Sequence, residues 1–473
     1  MAFVAIMLTI LLAALDQTIV ATALPAIVGE LRGFNELSWV VSAYLIATTV
    51  TIPLYGKLSD IHGRRRMMLI AISVFLLGSL LCGVAQSMGQ LIAFRIIQGI
   101  GAGGLIPLAQ AAIADLVPPR DRGRYQGFVG AVWAVAAIAG PLLGGTLTDA
   151  ASWRWIFLIN LPVGAIAMLV IARTMPAPRQ RAEHQLDLLG AATLTVATTC
   201  LLLASVWGGT TYGWDSPQIL GLGATGVLFI GAFIAVEQHA PEPLLPLRLF
   251  RIGIFSVSSA ASFLLGALLS GVTIYVPLFV QGVQGGSATN AGAVLIPLAF
   301  AWVLISTISG QLISRFGRYR PFPIAGGVVT IAGVSLLASL GADDSRTQVA
   351  VALTVIGCGM GLMWQPYIVA TQNRVAMREV GVATSGLVFF RSMGGSLAVA
   401  ELGEAGRTVD PNRLFDGSNE IGVELLGGVQ EALAASLHTV FLVLVPLAVA
   451  ALALALALQE KPLARTHEER DSA

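Results

Sequence analysis

Residues 56–67 of the chain read GKLSDIHGRRRM, which places four basic residues and one carboxylate, Asp60, between two long apolar runs. Charge is otherwise scarce, because 56% of the 473 residues are hydrophobic and only 11% are charged, against about 25% in ordinary soluble domains. Similar apolar runs recur along nearly the whole chain, and a run of about 20 residues is long enough to cross a bilayer as a helix. The sequence therefore predicts an all-α membrane protein.

The apolar runs predict fourteen transmembrane helices. Twenty of the 27 Lys and Arg residues fall in segments that would share one face of the membrane with both chain ends. Because cytoplasmic loops carry the excess of Lys and Arg, both termini are predicted to be cytoplasmic. Residues 403–435, with six acidic residues, are predicted to form an outer loop. The predicted spans are 2–27, 38–59, 67–86, 91–114, 125–148, 153–173, 186–206, 219–236, 253–280, 288–313, 321–341, 348–370, 380–402 and 436–458.

Several classes of protein are excluded by what the sequence lacks. A net charge of +1 provides no basic face for nucleic acid. Cys82, Cys200 and Cys358 are far apart within apolar runs, so they have neither disulfide-framework nor metal-ligand spacing. The sequence contains no P-loop motif and no nucleophile, base and acid arrangement, so we expect no ATP-driven step, no cofactor and no enzyme activity.

The charged loop has a second copy. Residues 310–320, GQLISRFGRYR, match residues 56–66 at two glycines, a leucine and two arginines. Each copy follows the second span of a six-span block, which predicts two six-helix bundles (1–173 and 253–473) and a linker with two extra transmembrane helices (174–252). The second bundle would include the outer loop and a cytoplasmic tail. Parallel repeats with a path between them are typical of alternating-access transporters.

Ionisable residues inside the predicted spans are candidates for function, because burying them is costly. Asp16 and Arg95 are both expected in the outer half of the membrane, and Gln98 lies one turn after Arg95. A carboxyl group whose surroundings change with conformation can carry a proton. The alternative is a static buried pair that only fixes helix packing, and the sequence does not show whether the two residues touch.

A substrate path is harder to assign. Arg391 is expected near mid-membrane, and Tyr44, Trp133 and Trp364 are aromatic residues that would suit an apolar pocket. Membrane interfaces and ordinary packing explain most aromatic residues equally well. At the outer turn between the fifth and sixth spans, Asp149 and Arg154 are expected to form a clamp.

Four motifs resemble those of the major facilitator superfamily, and in particular its fourteen-helix drug:proton antiporters. Residues 56–66 resemble the G-x-L-x-D-x-x-G-R-[RK]-[RK] loop, 15–25 (LDQTIVATALP) the first-span motif, 95–104 (RIIQGIGAGG) the fourth-span proton motif, and 140–145 (GPLLGG) the fifth-span antiporter motif. One departure is Ala21, where the first-span motif usually has Asn.

The resemblance implies roles for individual residues. Asp60 and Arg64 would latch the inner gate while the pocket faces outward, with Gly56 and Gly63 allowing close helix approach and a tight turn. Arg65 and Arg66 have a simpler interpretation, which is that they only orient the loop. Arg95 would take part in proton coupling, and Gly140, Pro141, Gly144 and Gly145 would form a kinked, tightly packed segment that prevents uncoupled leak.

Together these features predict a proton-coupled antiporter that exports amphipathic or cationic drugs or antibiotics by alternating access. Its expected location is a bacterial inner membrane, which the Arg excess of 25 to 2 over Lys supports as a sign of a GC-rich genome. The resemblance to the superfamily implies a monomer. Its partners would be protons, a small-molecule substrate and membrane lipids. An exporter of lipid or glycolipid is the alternative, whereas Asp16, Arg95 and Asp60 argue against a non-transporting sensor.

Overall fold

The computed structural model describes residues 2–31, 36–175, 187–209, 211–284, 292–341, 344–405 and 423–463. Nearly all of them lie in α-helices. In chain order these are α1 (Ala2–Leu31), α2 (Leu37–His62), α3 (Arg64–Gly83), α4 (Met88–Leu116), α5 (Arg122–Ala150), α6 (Trp155–Leu158), α7 (Asn160–Thr174), α8 (Leu188–Trp207), α9 (Pro217–His239), α10 (Gly253–Gly282), α11 (Ile296–Phe316), α12 (Pro321–Ala338), α13 (Arg346–Arg374), α14 (Val380–Ala405) and α15 (Val423–Ala457).

Thirteen helical segments among the described residues are long and apolar enough to cross a membrane. They fall at thirteen of the fourteen predicted spans. The thirteenth predicted span is α14, a 26-residue helix that is not among those segments and that carries Arg391 near its middle. The all-helical membrane class is confirmed, whereas the count of fourteen spans stays a prediction that depends on α14.

Several helix boundaries differ from the prediction. The α3 helix begins at Arg64 and not at residue 67, because Gly63, with φ of 87°, turns the chain in a single residue. The predicted sixth span is two helices, α6 and α7, with Ile159 between them. Residues 423–435 of the predicted outer loop are helical, as the start of α15. The rest of that loop, 406–422, and the tail from 464 lie outside the described residues.

Helices α1–α7 pack mainly against one another, and so do α10–α15. Glycines permit the closest crossings inside each group: a Cβ added at Gly101 of α4 would overlap the α3 backbone at Phe75, and one at Gly394 of α14 would overlap the α10 backbone at Phe263. Small residues of this kind let helix backbones approach closely where lipid supplies no hydrophobic driving force. The two groups are called the N-terminal and C-terminal helices below, and the proposed domain boundaries at 173 and 252 stay a prediction.

The two extra helices, α8 and α9, lie beside the junction of the two groups. The α8 helix packs on α2 and α14, and the Trp207 ring of α8 meets Trp39 of α2 edge to face, with centroids 5.7 Å apart. The α9 helix is the outer of the pair, and Leu228 on it is 68% exposed, as expected for a lipid-facing surface. At the end of α9, the Glu237 carboxylate accepts hydrogen bonds from the backbone N–H groups of Leu244 and Leu245 at 2.8 and 3.2 Å.

Candidate proton-coupling and gating sites

Asp16 and Arg95 meet inside the N-terminal helices. The Asp16 Oδ2 atom on α1 is 2.9 Å from Arg95 Nη1 on α4, and the side chains are 0% and 2% exposed. Gln98, one turn along α4, accepts from Arg95 Nη1 at 2.8 Å and donates to Asp16 Oδ1 at 2.7 Å. The three residues named from the sequence are therefore one hydrogen-bonded group.

Two further side chains complete this buried cluster. Asn160, the first residue of α7, donates to Asp16 Oδ1 at 3.1 Å and to Ser79 Oγ of α3 at 3.0 Å. Ser79 in turn donates to the Phe157 carbonyl at 2.8 Å. The cluster thus joins α1, α3, α4 and α7, and it places both Asp16 oxygens within reach of donors. Charge-assisted bonds of this kind offset the cost of burying a carboxylate.

Tyr44, a predicted residue of the substrate path, packs on the same cluster. Its side chain is 1% exposed, and the Arg95 guanidinium carbon lies 3.9 Å from the centre of its ring. Arg95 also donates from Nε to the Val40 carbonyl at 3.2 Å, so α2 holds the cation from the side opposite α1. Arg95 therefore lies over the Tyr44 ring, and a role for Tyr44 in the substrate path stays a prediction.

At the other end of these helices, Asp60 and Arg64 form the pair expected from the sequence. Asp60 Oδ1 lies 2.6 Å from Arg64 Nη1, across the single-residue turn at Gly63. The same carboxylate accepts hydrogen bonds from the backbone N–H groups of Gly381 and Val382 at 3.1 and 2.9 Å. These amides begin α14, where unpaired N–H groups favour an anion. Asp60 therefore binds the C-terminal helices through a helix N-terminus.

Arg64 is held from several sides. Its Nε donates to Asp115 Oδ2 of α4 at 3.0 Å, and its Nη1 also contacts Ser59 Oγ. Arg65, which we expected only to orient the loop, donates to the Ala172 and Met175 carbonyls at the end of α7. That expectation was too narrow for Arg65, because its side chain satisfies carbonyls that the helix leaves without a donor.

Glycines of the two sequence repeats lie where the N-terminal and C-terminal helices cross. A Cβ added at Gly56 of α2 would overlap the Ser385 side chain of α14. One added at Gly310, the repeat counterpart of Gly56, would overlap the Gly123 carbonyl of α5. Both crossings allow contact only because no side chain intervenes. They lie at the Gly63 end of the molecule, which we call the latch end.

Hydrogen bonds join the two groups at the latch end without copying the Asp60 arrangement. Ser314 stands at the Asp60 position of the repeat, and its carbonyl accepts from Arg120 Nε at 3.2 Å. Arg122, 0% exposed, donates from Nη1 to the Gln372 carbonyl at 3.1 Å. Thr307 donates to the Gly127 carbonyl at 3.1 Å. Among the described residues, the Asp60 carboxylate and several arginine-to-carbonyl contacts therefore join the two groups at the latch end.

The GPLLGG segment lies in α5, which is helical from Arg122 to Ala150. A Cβ added at Gly140 would overlap Thr18 of α1, whose Oγ1 donates to the Ala136 carbonyl at 3.0 Å. Gly144 is buried, but a Cβ added at Gly145 would meet nothing within 4 Å. The expected close packing is thus found at Gly140 but not at Gly145. The backbone of Pro141 continues the helix.

The remaining path candidates lie apart from the Asp16 cluster. Arg391 of α14 places its guanidinium carbon 4.5 Å from the centre of the Trp364 ring of α13. Arg391 is partly buried and Trp364 is 5% exposed. Trp133 is partly buried among the N-terminal helices. The structure therefore brings Arg391 and Trp364 together and leaves Trp133 separate from them.

Comparison with known proteins identifies the group to which this architecture belongs. The sequence profile of the Major Facilitator Superfamily matches residues 6–399. The chain belongs to the major facilitator superfamily. This member is 38% identical over 485 residues to an uncharacterized MFS-type transporter of Mycobacterium tuberculosis, an alignment that covers 99% of this chain and 71% of the relative. It is a multi-pass membrane transporter and not an enzyme.

Two further comparisons agree with that assignment. This superfamily member is 40% identical over 403 residues to the multidrug transporter protein MdtP of Bacillus subtilis, with 85% of this chain and 74% of MdtP aligned. Its fold is similar to that of the MFS proton:xylose symporter XylE, with a TM-score of 0.69 over 100% of this chain and 98% of XylE. Their sequence identity is 16%, so this likeness bears on the fold alone.

Sequence reasoning missed part of each site in this superfamily member. Ser79 and Asn160 are ordinary polar residues in apolar runs, and Asp115 lies just beyond the predicted span 91–114. The expected clamp between Asp149 and Arg154 is wrong, because Arg154 Nη1 lies 2.6 Å from Glu30 Oε1 at the end of α1. Polar residues within predicted spans were a usable signal for the first two. Nothing in the local sequence indicates that Glu30 pairs with Arg154, because the two residues are 124 residues apart.

Proposed function

We propose that this protein is a proton-coupled antiporter that exports amphipathic drug-like compounds or antibiotics across the cytoplasmic membrane of a bacterium. The observation that carries the proposal is the buried Asp16 carboxylate, paired with Arg95 at 2.9 Å and closed from solvent. Membership of a transporter superfamily and similarity to the B. subtilis multidrug transporter support export of small molecules.

Asp16 is suited to carry a proton because its charge depends on its neighbours. Arg95 and the Gln98 and Asn160 amides all donate to its ionised form. Protonation removes the charge that holds Arg95, and the α1, α4 and α7 contacts then share a neutral and weaker acceptor. A step that moves α1 relative to α4 changes the proton affinity of Asp16 for the same reason. In this proposal, coupling means that protonation of Asp16 and movement of α1 relative to α4 each favour the other.

The latch end supplies the second element of alternating access. Asp60 on α2 caps the start of α14, and the Gly56 and Gly310 crossings bring the two helix groups together there. We take this as the conformation in which the cytoplasmic side is closed. Opening it requires the Asp60 carboxylate to give up the Gly381 and Val382 amides, so the closed state is held by bonds that form only when the groups meet.

The proposal changes one expectation about the substrate. A carboxylate that attracts a cationic drug has to be open to it, but Asp16 is 0% exposed and fully occupied by donors of the protein. Asp16 is therefore proposed to exchange protons and not to contact the drug. The lipid or glycolipid exporter is the alternative, and it predicts that lipids and not drugs trigger proton movement.

The test is proton release from purified protein in weakly buffered detergent on addition of lipophilic cations, neutral antibiotics, organic anions or lipids. Wild-type protein is expected to release protons with at least one drug-like compound, and the Asp16→Asn variant to release none. Asp149→Asn is the matched control, because Asp149 is an exposed carboxylate at the end of α5. Release that Asp16→Asn leaves unchanged would exclude Asp16 as the proton site, and release with lipids alone would favour the lipid exporter.

A further inference from the structure

Arg391 is a cation inside a predicted span, and the described residues give it no acidic partner. It lies near the middle of α14, and in the described part of the chain its guanidinium contacts the Trp364 ring but no carboxylate. Glu401 lies on the same helix, but ten residues at about 1.5 Å each place it roughly 15 Å along the axis. An unpaired charge at this depth costs several kcal/mol even by lenient scales, so its presence calls for an explanation.

Three other charges in the described membrane-spanning helices have partners. Asp16 pairs with Arg95, Asp60 pairs with Arg64, and Glu237 accepts from two backbone amides. These arrangements satisfy each group within the protein, as buried charges require. Arg391 differs because only one face of its guanidinium is used, by the Trp364 ring.

Stacking leaves the guanidinium able to bind an anion. A ring that covers one face contacts the π system, whereas the N–H donors point outward in the plane of the group. That edge matches a carboxylate or sulfonate, which it can bind through two parallel hydrogen bonds. Trp364 also fixes the direction of the side chain, so little rotamer freedom is lost when an anion binds.

The position of Arg391 places it above the closed latch end. Ser385, at the Gly56 crossing, is six residues earlier on α14, which is about 9 Å along the axis. Gln365, next to Trp364, donates to the Gln126 carbonyl of α5 at 3.1 Å, so Trp364 lies beside the contact between the two helix groups. Arg391 is partly exposed there. The pair therefore lies near the contact between the two helix groups and away from the Gly56 crossing.

We infer that Arg391 and Trp364 form the head-group subsite of the transport cavity, and that it takes amphipathic organic anions, with a carboxylate or sulfonate on Arg391 and an apolar or aromatic body beside Trp364. This inference rests on the proposed function, in which the space between the two helix groups is the transport path. It reverses the sign of the substrate charge in the sequence-based prediction of cationic drugs.

The test measures binding of three dansyl compounds to the full chain in nanodiscs of zwitterionic lipid, with empty nanodiscs subtracted. Dansylglycine carries a carboxylate, dansylglycinamide is its neutral near-isostere, and dansyl-ethylenediamine is cationic. Wild-type protein is expected to bind dansylglycine about 10- to 100-fold more tightly than dansylglycinamide, the range for a charge-assisted pair. Dansyl-ethylenediamine is expected to bind most weakly.

Variants separate the charge from its geometry. Arg391→Gln is expected to abolish the preference for dansylglycine while changing dansylglycinamide affinity by less than about 3-fold, which also shows that the cavity is folded. Arg391→Lys keeps the charge but loses the planar fork, so an intermediate preference is expected. Arg318→Gln is the control, because Arg318 is an exposed arginine in the 317–320 turn.

Specific outcomes would overturn the inference. The inference is wrong if wild-type protein binds dansylglycine no better than dansylglycinamide. It is also wrong if Arg391→Gln keeps the preference for dansylglycine. Tighter binding of dansyl-ethylenediamine by wild-type protein would show a cation site instead. Because binding needs no proton gradient, these results are independent of the proton-release assay, and failure of that assay alone would remove the coupling but not the anion subsite.

Discussion

Gly56 of α2 lies against Ser385 of α14 so closely that a single added Cβ would overlap the serine side chain. This contact joins the N-terminal and C-terminal helices at the latch end, next to the point where Asp60 caps α14. The absence of a side chain at residue 56 is therefore a condition for this contact, and in the proposed mechanism it is a condition for closing this end of the transporter. The repeat provides the same condition at Gly310, against Gly123 of α5.

Gly56→Ala is expected to shift the protein toward a state that is open at the latch end, because Ser385 cannot yield without moving α14. The measurement is maleimide labelling of Ser306→Cys, a position on α11 that is 0% exposed, in a background without the three native cysteines. We expect labelling to be about 10-fold faster with Gly56→Ala, since a shift of about 1.4 kcal/mol in the equilibrium has that effect.

Gly145→Ala is the matched control for this prediction, because a Cβ at Gly145 meets nothing within 4 Å. It is expected to leave the labelling rate unchanged. Equal labelling in Gly56→Ala and wild-type protein would mean that the crossing tolerates a side chain and does not limit closure.

Asp60→Asn is expected to lower transport about 10-fold or more while leaving membrane insertion intact. The amide keeps an acceptor for the α14 N-terminus but loses the charge that attracts both Arg64 and the helix dipole. Transport in proteoliposomes and the amount of inserted protein check the two parts. Asp149→Asn should behave as wild type, and normal transport by Asp60→Asn would contradict a latch role for the charge.

Asp16 and Arg95 are expected to be strongly coupled in stability. Asp16→Asn or Arg95→Gln alone leaves a buried charge without its partner, a change that typically costs about 3–5 kcal/mol. The double variant removes both charges and should be less destabilised than the sum of the two, with an interaction energy of about 1–3 kcal/mol. Unfolding of the four proteins in detergent measures this cycle.

The control cycle for that pair uses Asp149→Asn and Arg318→Gln, which are exposed residues on different helix groups. Their effects should add. Additive effects for Asp16 and Arg95 as well would show that their 2.9 Å contact contributes no coupling.

Glu30 is expected to give a small acid-dependent loss of stability at the end opposite the latch. Glu30 lies at the end of α1, beyond the candidate span Ala2–Val20. Hydrogen bonds from Arg154 and Trp153 lower the pKa of the Glu30 carboxyl from its ordinary value of 4.5. A lowered pKa in the folded state means that the contribution is present above pH 4.5 and is lost as the pH falls through the folded value.

The check is the melting temperature of wild-type protein and Glu30→Gln between pH 7 and pH 3. Wild-type protein should be more stable at pH 7, and the difference should shrink as the pH falls below 4.5. Glu36→Gln serves as the control, since Glu36 is an exposed carboxylate just before α2. A difference that stays constant with pH would exclude ionised Glu30 as its source.

Much of this protein follows from local sequence. Apolar runs of sufficient length predict membrane helices wherever they lie in the chain, and thirteen candidate spans agree with them. The contact of Asp60 with Arg64 was also predictable, because four residues separate them across the single turn at Gly63. In each of these cases the decisive geometry is set by residues close together in the chain.

Tertiary structure decided which distant residues meet. It gave Asp16 the Asn160 amide, paired Arg154 with Glu30 in place of Asp149, and enclosed Tyr44 against Arg95. It also left Arg391 with an aromatic face and no acidic partner among the described residues. These contacts depend on which faces of separate helices turn toward one another. That is fixed by close packing over the whole bundle, because sequence periodicity states which residues share a helix face but not what lies opposite it.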